Sequence, residues 1–170
     1  MDAVVARTEP TEPWRGSALQ ERPGFLIRRL HQIHTAIFAR EIGSHSLTPI
    51  MFSVLSALSQ IGPSDQTTLA AAVEIDKTNM ADVLERLKKR GLIRRRTSTK
   101  DRRVRMATLT DEGHALLAEV DAAAERAHHA TLDGLSEDER DLFLTLMKRI
   151  VAHNTPAEAP RETADDPIRT

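Results

Sequence analysis

Gly62-Pro63 on one side and Gly91 on the other bracket a stretch that the turn Glu74-Ile75-Asp76 cuts in two. Gly tolerates the left-handed conformation that closes a helix and Pro cannot continue one, so neither boundary can be read through. The stretch has room for one short helix at about residues 66–73 and another at 77–90. In the second, Met80, Val83, Leu84 and Leu87 recur at helical spacing and bury one side, which turns Lys77, Thr78, Asn79, Asp82, Arg86 and Lys89 outward. Two short helices joined by a three-residue turn make a helix-turn-helix, whose second helix is sized to enter a DNA major groove.

Charge agrees with that shape. Between Arg86 and Arg105 stand eleven Lys or Arg residues and one acid, Asp101, a block of +10 in a chain whose net charge is −1. Charge segregated this sharply marks a surface built for a polyanion. Within the block, LKKRGLI leads into RRRTSTKDRRVRMATLT, which reads as strands at 92–96 and 103–109 around a basic tip at 97–102. The alternation is imperfect and leaves the register open.

The flanking segments read as helices. One follows Pro23, carries Leu26, Leu30, Ile33 and Ile37 along one side, and stops at Gly43. Thr48 caps the next, with Pro49 at its first position, Leu47 placed to staple onto Phe52, and a stripe of Met51, Val54, Leu55 and Leu58. Thr110 caps a long helix reaching about Leu132, with Leu116, Leu117, Val120, Ala123, Ala124 and Ala127 on one face. Ser136 and Glu139 form a capping box for a last helix with Leu142, Phe143, Leu146, Ile150 and Val151. The expected fold is mainly α with a small β-hairpin wing, in the order α-α-α-α-β-β-α-α. Polar, Pro-bearing ends at 1–22 and 155–170 read as flexible tails.

Absent motifs narrow the function. There is no cysteine, so disulfides, thiolate metal sites and thiol redox sensing are excluded. The sequence holds no nucleophile-base pattern, Walker loop, Gly-rich cofactor motif or HExxH pair, so no enzyme is expected. No apolar run approaches the ~20 residues of a membrane span and no signal peptide is apparent, so a cytoplasmic protein is expected.

The segment LAAAVEIDKTNMADVLERLKKRGLIRR followed by DRRVRMATLTDEG resembles the MarR family of winged-helix transcriptional regulators. Its most specific part is Asp101-x-Arg103 with Leu109-Thr110 and Gly113 downstream of a helix-turn-helix ending in RGLI. The resemblance implies a homodimer reading a pseudo-palindromic operator, with residues 23–46 and 111–154 as the helical dimerisation region and 47–110 as the winged helix-turn-helix. Apolar faces outside the winged helix are themselves too extensive to leave uncovered. RPGFLIRRLHQIHTAIF and DKTNMADVLERLKKRGL further resemble the branch that controls aromatic-acid and nicotinate catabolism.

The residues expected at DNA are Lys77, Thr78, Asn79 and Arg86 on the second helix of the motif, and Lys100, Asp101, Arg102, Arg103 and Arg105 at the wing. By resemblance Arg103 enters a minor groove with Asp101 steering it, whereas Thr78 and Asn79 equally suit helix-start chemistry, and Asp82 is expected to pair with Arg86. A small aromatic carboxylate is the expected effector, with Phe25, Arg28, Arg29, His31, His34, Met51 and Phe52 as candidate contacts, because Arg can donate two parallel hydrogen bonds to a carboxylate. No metal site and no cofactor is expected. The overall expectation is a ligand-released repressor; the alternatives are an architectural DNA-binding protein without effector and a metal-responsive regulator.

Overall fold

The computed structural model describes residues 18–99 and 101–155. The tails expected at 1–22 and 155–170 therefore lie outside the described residues except for 18–22 and 155, as does Lys100. Residues 18–22 make a turn, closed by the Arg22 N–H on the Leu19 carbonyl at 3.2 Å, that leads into the first helix. The chain forms two compact units, one ending at Thr131 and one beginning at Leu132.

The first unit opens with α1, Pro23–Ile42, started by Pro at its first position and closed by Gly43 at φ 60°. It packs along α5, Asp111–Thr131. Phe38 and Ile42 are the fully buried residues of α1, whereas Leu26 and Ile33 of the expected stripe are exposed, at 52% and 39%, together with Ile27. The helix thus has one apolar side for the core and a second that this unit leaves open.

After a 3-10 turn, Gly43–His45, comes α2, Pro49–Ile61, with the Thr48 side chain accepting from the Met51 N–H as expected. Met51, Val54, Leu55 and Leu58 are all buried. At ~1.5–3 kcal/mol per fully buried aliphatic side chain, this stripe is a main source of cohesion. Gly62, at φ 77°, ends the helix. Next come β1, Ser64–Asp65, then α3, Gln66–Ala72, capped by Asp65, and α4, Lys77–Lys89, capped by Asp76. Met80, Val83, Leu84 and Leu87 bury one face of α4. Its C-terminal Arg90 donates through Nη1 to the Ser46 carbonyl at 2.9 Å and through Nη2 to the His45 carbonyl at 2.6 Å, tying α4 to the corner before α2.

The wing strands are β2, Ile93–Thr97, and β3, Arg105–Leu109, with Ile93 opposite Leu109 and Thr97 opposite Arg105. This corrects the expected boundaries: the tip runs from Ser98 to Val104, so Arg103 belongs to the turn. β1 adds a third strand, with Ser64 opposite Ala107 and Asp65 opposite Met106, in the order β1-β3-β2.

Thr110 joins wing and α5. Its N–H donates to the Leu92 carbonyl at 3.1 Å, its hydroxyl donates to the Gly91 carbonyl at 2.7 Å, and the same oxygen accepts from the Gly113 N–H at 3.0 Å. On α5, Val120, Ala124 and Ala127 are buried and Leu116, Leu117 and Ala123 partly so.

The second unit contains α6, Glu137–Asn154, started by the reciprocal Ser136–Glu139 capping box. Arg140 Nε donates to the carbonyls of Leu132 and Leu135, both at 3.1 Å, fixing the entry into the helix. None of its residues is buried, and Leu142, Leu146, Met147, Ile150 and Val151 are exposed. No helix among the described residues is long and apolar enough to cross a membrane.

Candidate nucleic-acid interface and adjoining groove

The wing tip is organised by Asp101. Its Oδ1 accepts from the Arg103 N–H at 2.9 Å and its carbonyl from the Val104 N–H at 3.0 Å, while the Ser98 N–H donates to the Val104 carbonyl at 2.8 Å. Asp101 Oδ1 also lies 3.4 Å from Arg103 Nε. The carboxylate therefore shapes the turn and directs the guanidinium at once, and the Arg103 side chain is left 92% exposed. Arg102 stands beside it in the turn and Arg105 opens β3, both exposed.

At the start of α4, Asp76 Oδ1 accepts from the N–H groups of Thr78 and Asn79, both at 2.9 Å, and Oδ2 accepts from the Asn79 side-chain amide. These bonds, that from the Asn79 N–H foremost, hold the Asp76 carboxyl below its ordinary value. The backbone donors of Thr78 and Asn79 are thus already occupied, and the Asn79 side chain is engaged in the cap. Lys77, Thr78 and Arg86 project exposed side chains from the helix. Asp82 forms no ion pair with Arg86; the pair on this helix is Glu85–Lys88 at 3.6 Å. A one-turn spacing permits a pair, but two solvated side chains gain little from holding one.

Between α1, α2, α5 and the end of α3 lies an open groove of about 430 Å³, within the range of small-molecule pockets. One wall is aromatic. The His34 ring of α1 stacks on His128 of α5, with centroids 5.3 Å apart, and both lie against Phe38, which in turn contacts Phe52 at 5.7 Å. His34 Nδ1 is 2.9 Å from the Thr131 hydroxyl. Burial, then the nearby His128 and His31, lower the His34 pKa, so the neutral ring is favoured. The floor is one face of α2: Pro49, Phe52, Ser53, Ser56, Ala57 and Gln60. The remaining wall is the end of α3 at Ala72 with Val73 and Glu74, where the turn toward α4 begins and Glu74 adopts a left-handed φ of 53°.

Of the seven candidate ligand residues, the groove gathers His34 and Phe52. Phe25 and Arg28 pair with each other, the guanidinium 5.1 Å from the ring centre, and Arg29 and His31 are exposed near the start of α1. At 1.5 Å per residue, Phe25 sits ~14 Å along the helix from His34, which is why a shared helix did not make a shared site. Met51 is a core residue, 1% exposed, turned about 100° around α2 from Phe52. Sequence reasoning missed His128, Ser53, Ser56, Gln60 and Glu74. The α2 set was legible, since 49, 52, 53, 56, 57 and 60 recur at helical spacing opposite the core stripe; His128 was not, being brought to His34 only by the packing of α5 on α1. Among the described residues no group of three or more His, Asp or Glu is placed to hold a metal ion.

The same fold occurs in known proteins. The MarR family profile matches residues 47–104, from the cap of α2 to the wing tip. The HTH-type transcriptional repressor NicR of Pseudomonas putida is 34% identical over 131 residues, covering 77% of this chain and 83% of its own length. The structure of BpsR from Bordetella bronchiseptica, whose DNA binding is regulated by 6-hydroxynicotinic acid, aligns at TM-score 0.75 and 34% identity, over 80% of this chain and 98% of that one. The PcaV transcriptional regulator of Streptomyces coelicolor, solved with its natural ligand, aligns at TM-score 0.73 and 31% identity, over 80% and 96%. With the winged helix-turn-helix in place and relatives at this identity matched over most of their length, the chain belongs to the MarR family of transcriptional regulators.

Proposed function

We propose that this protein is a repressor that binds a pseudo-palindromic operator as a homodimer and leaves it when a small aromatic carboxylic acid occupies the groove. One observation carries this reading: the groove that brings His34 and His128 together is closed on its other side by Ala72, the last residue of α3, and by Val73 and Glu74, which lead toward α4. A ligand there touches the element that sets the recognition helix, so its binding energy can differ between DNA-bound and free conformations, as effector release requires. The NicR and BpsR descriptions support a repressor controlled by a hydroxylated aromatic acid.

In this reading residues 47–110 form the DNA-binding domain. Lys77, Thr78 and Arg86 meet the major groove, Arg103 held by Asp101 enters the minor groove, and Lys100, Arg102 and Arg105 attract phosphates. Residues 23–46 and 111–154 form the dimerisation region, and the exposed Leu26, Ile27 and Ile33 of α1 and Leu142, Leu146 and Ile150 of α6 supply apolar surface for a second copy to cover. His34 or His128 receives the acid's carboxylate, with Phe38 and Phe52 along its ring and Ser53, Ser56 or Gln60 at its hydroxyl or ring nitrogen.

Calorimetry of 6-hydroxynicotinate and 4-hydroxybenzoate against the wild type and His34→Ala, paired with gel shifts on DNA upstream of the gene, tests the proposal. Micromolar binding that releases DNA and is lost in the variant is expected. DNA binding indifferent to every such acid would leave an architectural protein instead.

A further inference from the structure

We infer that Gln66 is a positioning residue that locks the wing to the recognition helix, so that operator discrimination depends on a side chain that reaches neither groove of the DNA. The inference rests on the DNA-binding reading above. Gln66 is the first residue of α3, and its two amide atoms point in different directions. Nε2 donates to the carbonyl of Lys77, the first residue of α4, at 2.9 Å. Oε1 accepts from Nη2 of Arg95, in the middle of wing strand β2, at 3.3 Å. A single carboxamide thus bridges the two elements that read DNA, and residues 66, 77 and 95 have no closer link along the chain.

Two features argue that the bridge orients these elements and is not there for stability. The Lys77 carbonyl already faces the N–H one turn on within α4, so the Gln66 bond fills a second lone pair. Arg95 Nε is buried and is the one such side-chain atom among the described residues that finds no partner. A buried donor without an acceptor is destabilising, and an apolar side chain of similar length would remove that cost. Arg95 is therefore a poor choice for holding the wing sheet together and a good one for fixing where the sheet stands. That placement matters because α4 and the wing tip must enter neighbouring grooves simultaneously, and a small change in the angle between them breaks the match without weakening either contact surface.

The test uses a duplex selected from a random pool by the full-length wild type, with a scrambled duplex as reference. Gln66→Glu keeps an acceptor for Arg95 but turns an oxygen toward the Lys77 carbonyl; Gln66→Met removes both bonds; Arg95→Met removes the wing side and the orphaned donor. Each should lower the ratio of operator to scrambled affinity by roughly 2- to 30-fold. Scrambled affinity and effector binding should be unchanged, Arg95→Met should melt no lower than wild type, and Gln66→Met/Arg95→Met should be no worse than the single changes. If the ratio holds in all three, or if both affinities and the melting temperature fall together, Gln66 is only a structural contact and the inference fails. A wild type that selects no duplex would overturn the DNA-binding reading beneath it.

Discussion

Gly113 lies so close under Leu92 that a Cβ on it would stand 2.1 Å from the Leu92 carbonyl oxygen. That oxygen already accepts the Thr110 N–H, so the last turn before β2 and the first turn of α5 meet backbone to backbone. Gly113→Ala cannot be absorbed by a side-chain rotation. It should destabilise the protein by about 1–3 kcal/mol or more, as overpacking against rigid backbone does, with a lowered midpoint in chemical denaturation as the check. A variant within 0.5 kcal/mol of wild type, roughly the scatter of neutral surface changes, would show that this approach is misplaced.

Arg103 is almost fully solvated and its side chain pairs with Asp101, so Arg103→Ala should leave the melting temperature alone and weaken operator binding by about 1–3 kcal/mol. Asp101→Ala should also weaken binding, through a tip whose turn has lost its acceptor for the Arg103 N–H. Fluorescence anisotropy at moderate salt separates the two from wild type; an unaltered affinity for Arg103→Ala would remove the wing from the interface.

His34 sets a pH dependence whose sign can be worked out. Its folded pKa is lowered by burial first and by His128 and His31 next, so below the ordinary value of about 6.5 the unfolded chain binds the proton more readily than the folded one. Stability should fall as pH drops through that region and be unaffected above it, and His34→Gln should flatten the profile in thermal melts between pH 5 and 8. An anion in the groove favours the charged ring, so acid binding should take up a proton and strengthen toward pH 6. Calorimetry in buffers of different ionisation enthalpy counts that proton, and no uptake would place the carboxylate elsewhere.

Local chemistry was readable from residues and non-local pairing was not. Thr48, Pro49, Gly62, Ser136 and Glu139 act within one turn of themselves, and each sits where its type and spacing put it. β1 carried no signal because two residues have no period; Ser64 and Asp65 are strand only by pairing with Ala107 and Met106. The first wing strand was set one residue early and the second was begun two residues early for the same reason, since a basic hairpin has no apolar alternation to fix its register. Phe52 lines the groove while its neighbour Met51 lies in the core, because adjacent helical residues differ in direction and only packing says which direction is the core.

The exposed apolar residues of α6 give a fourth prediction. Leu142→Glu with Ile150→Glu should convert a dimer into monomers in sedimentation without lowering the melting of the first unit, because neither residue is buried in the folded chain. Operator affinity should fall steeply, as each half-site would then be bound alone. An intact dimer would exclude this face from the interface.

The packing of α1 on α5 also orders events during synthesis. Residues 47–110 complete a contiguous, mostly local lobe, while α1, made first, meets its main partner only when the ribosome has passed residue 131. At translation rates of roughly 5–20 residues per second, the interval from residue 42 to residue 131 is about 5–20 s. Throughout it His34 has no His128 to stack on, so the nascent polypeptide possesses α4 before it possesses the groove.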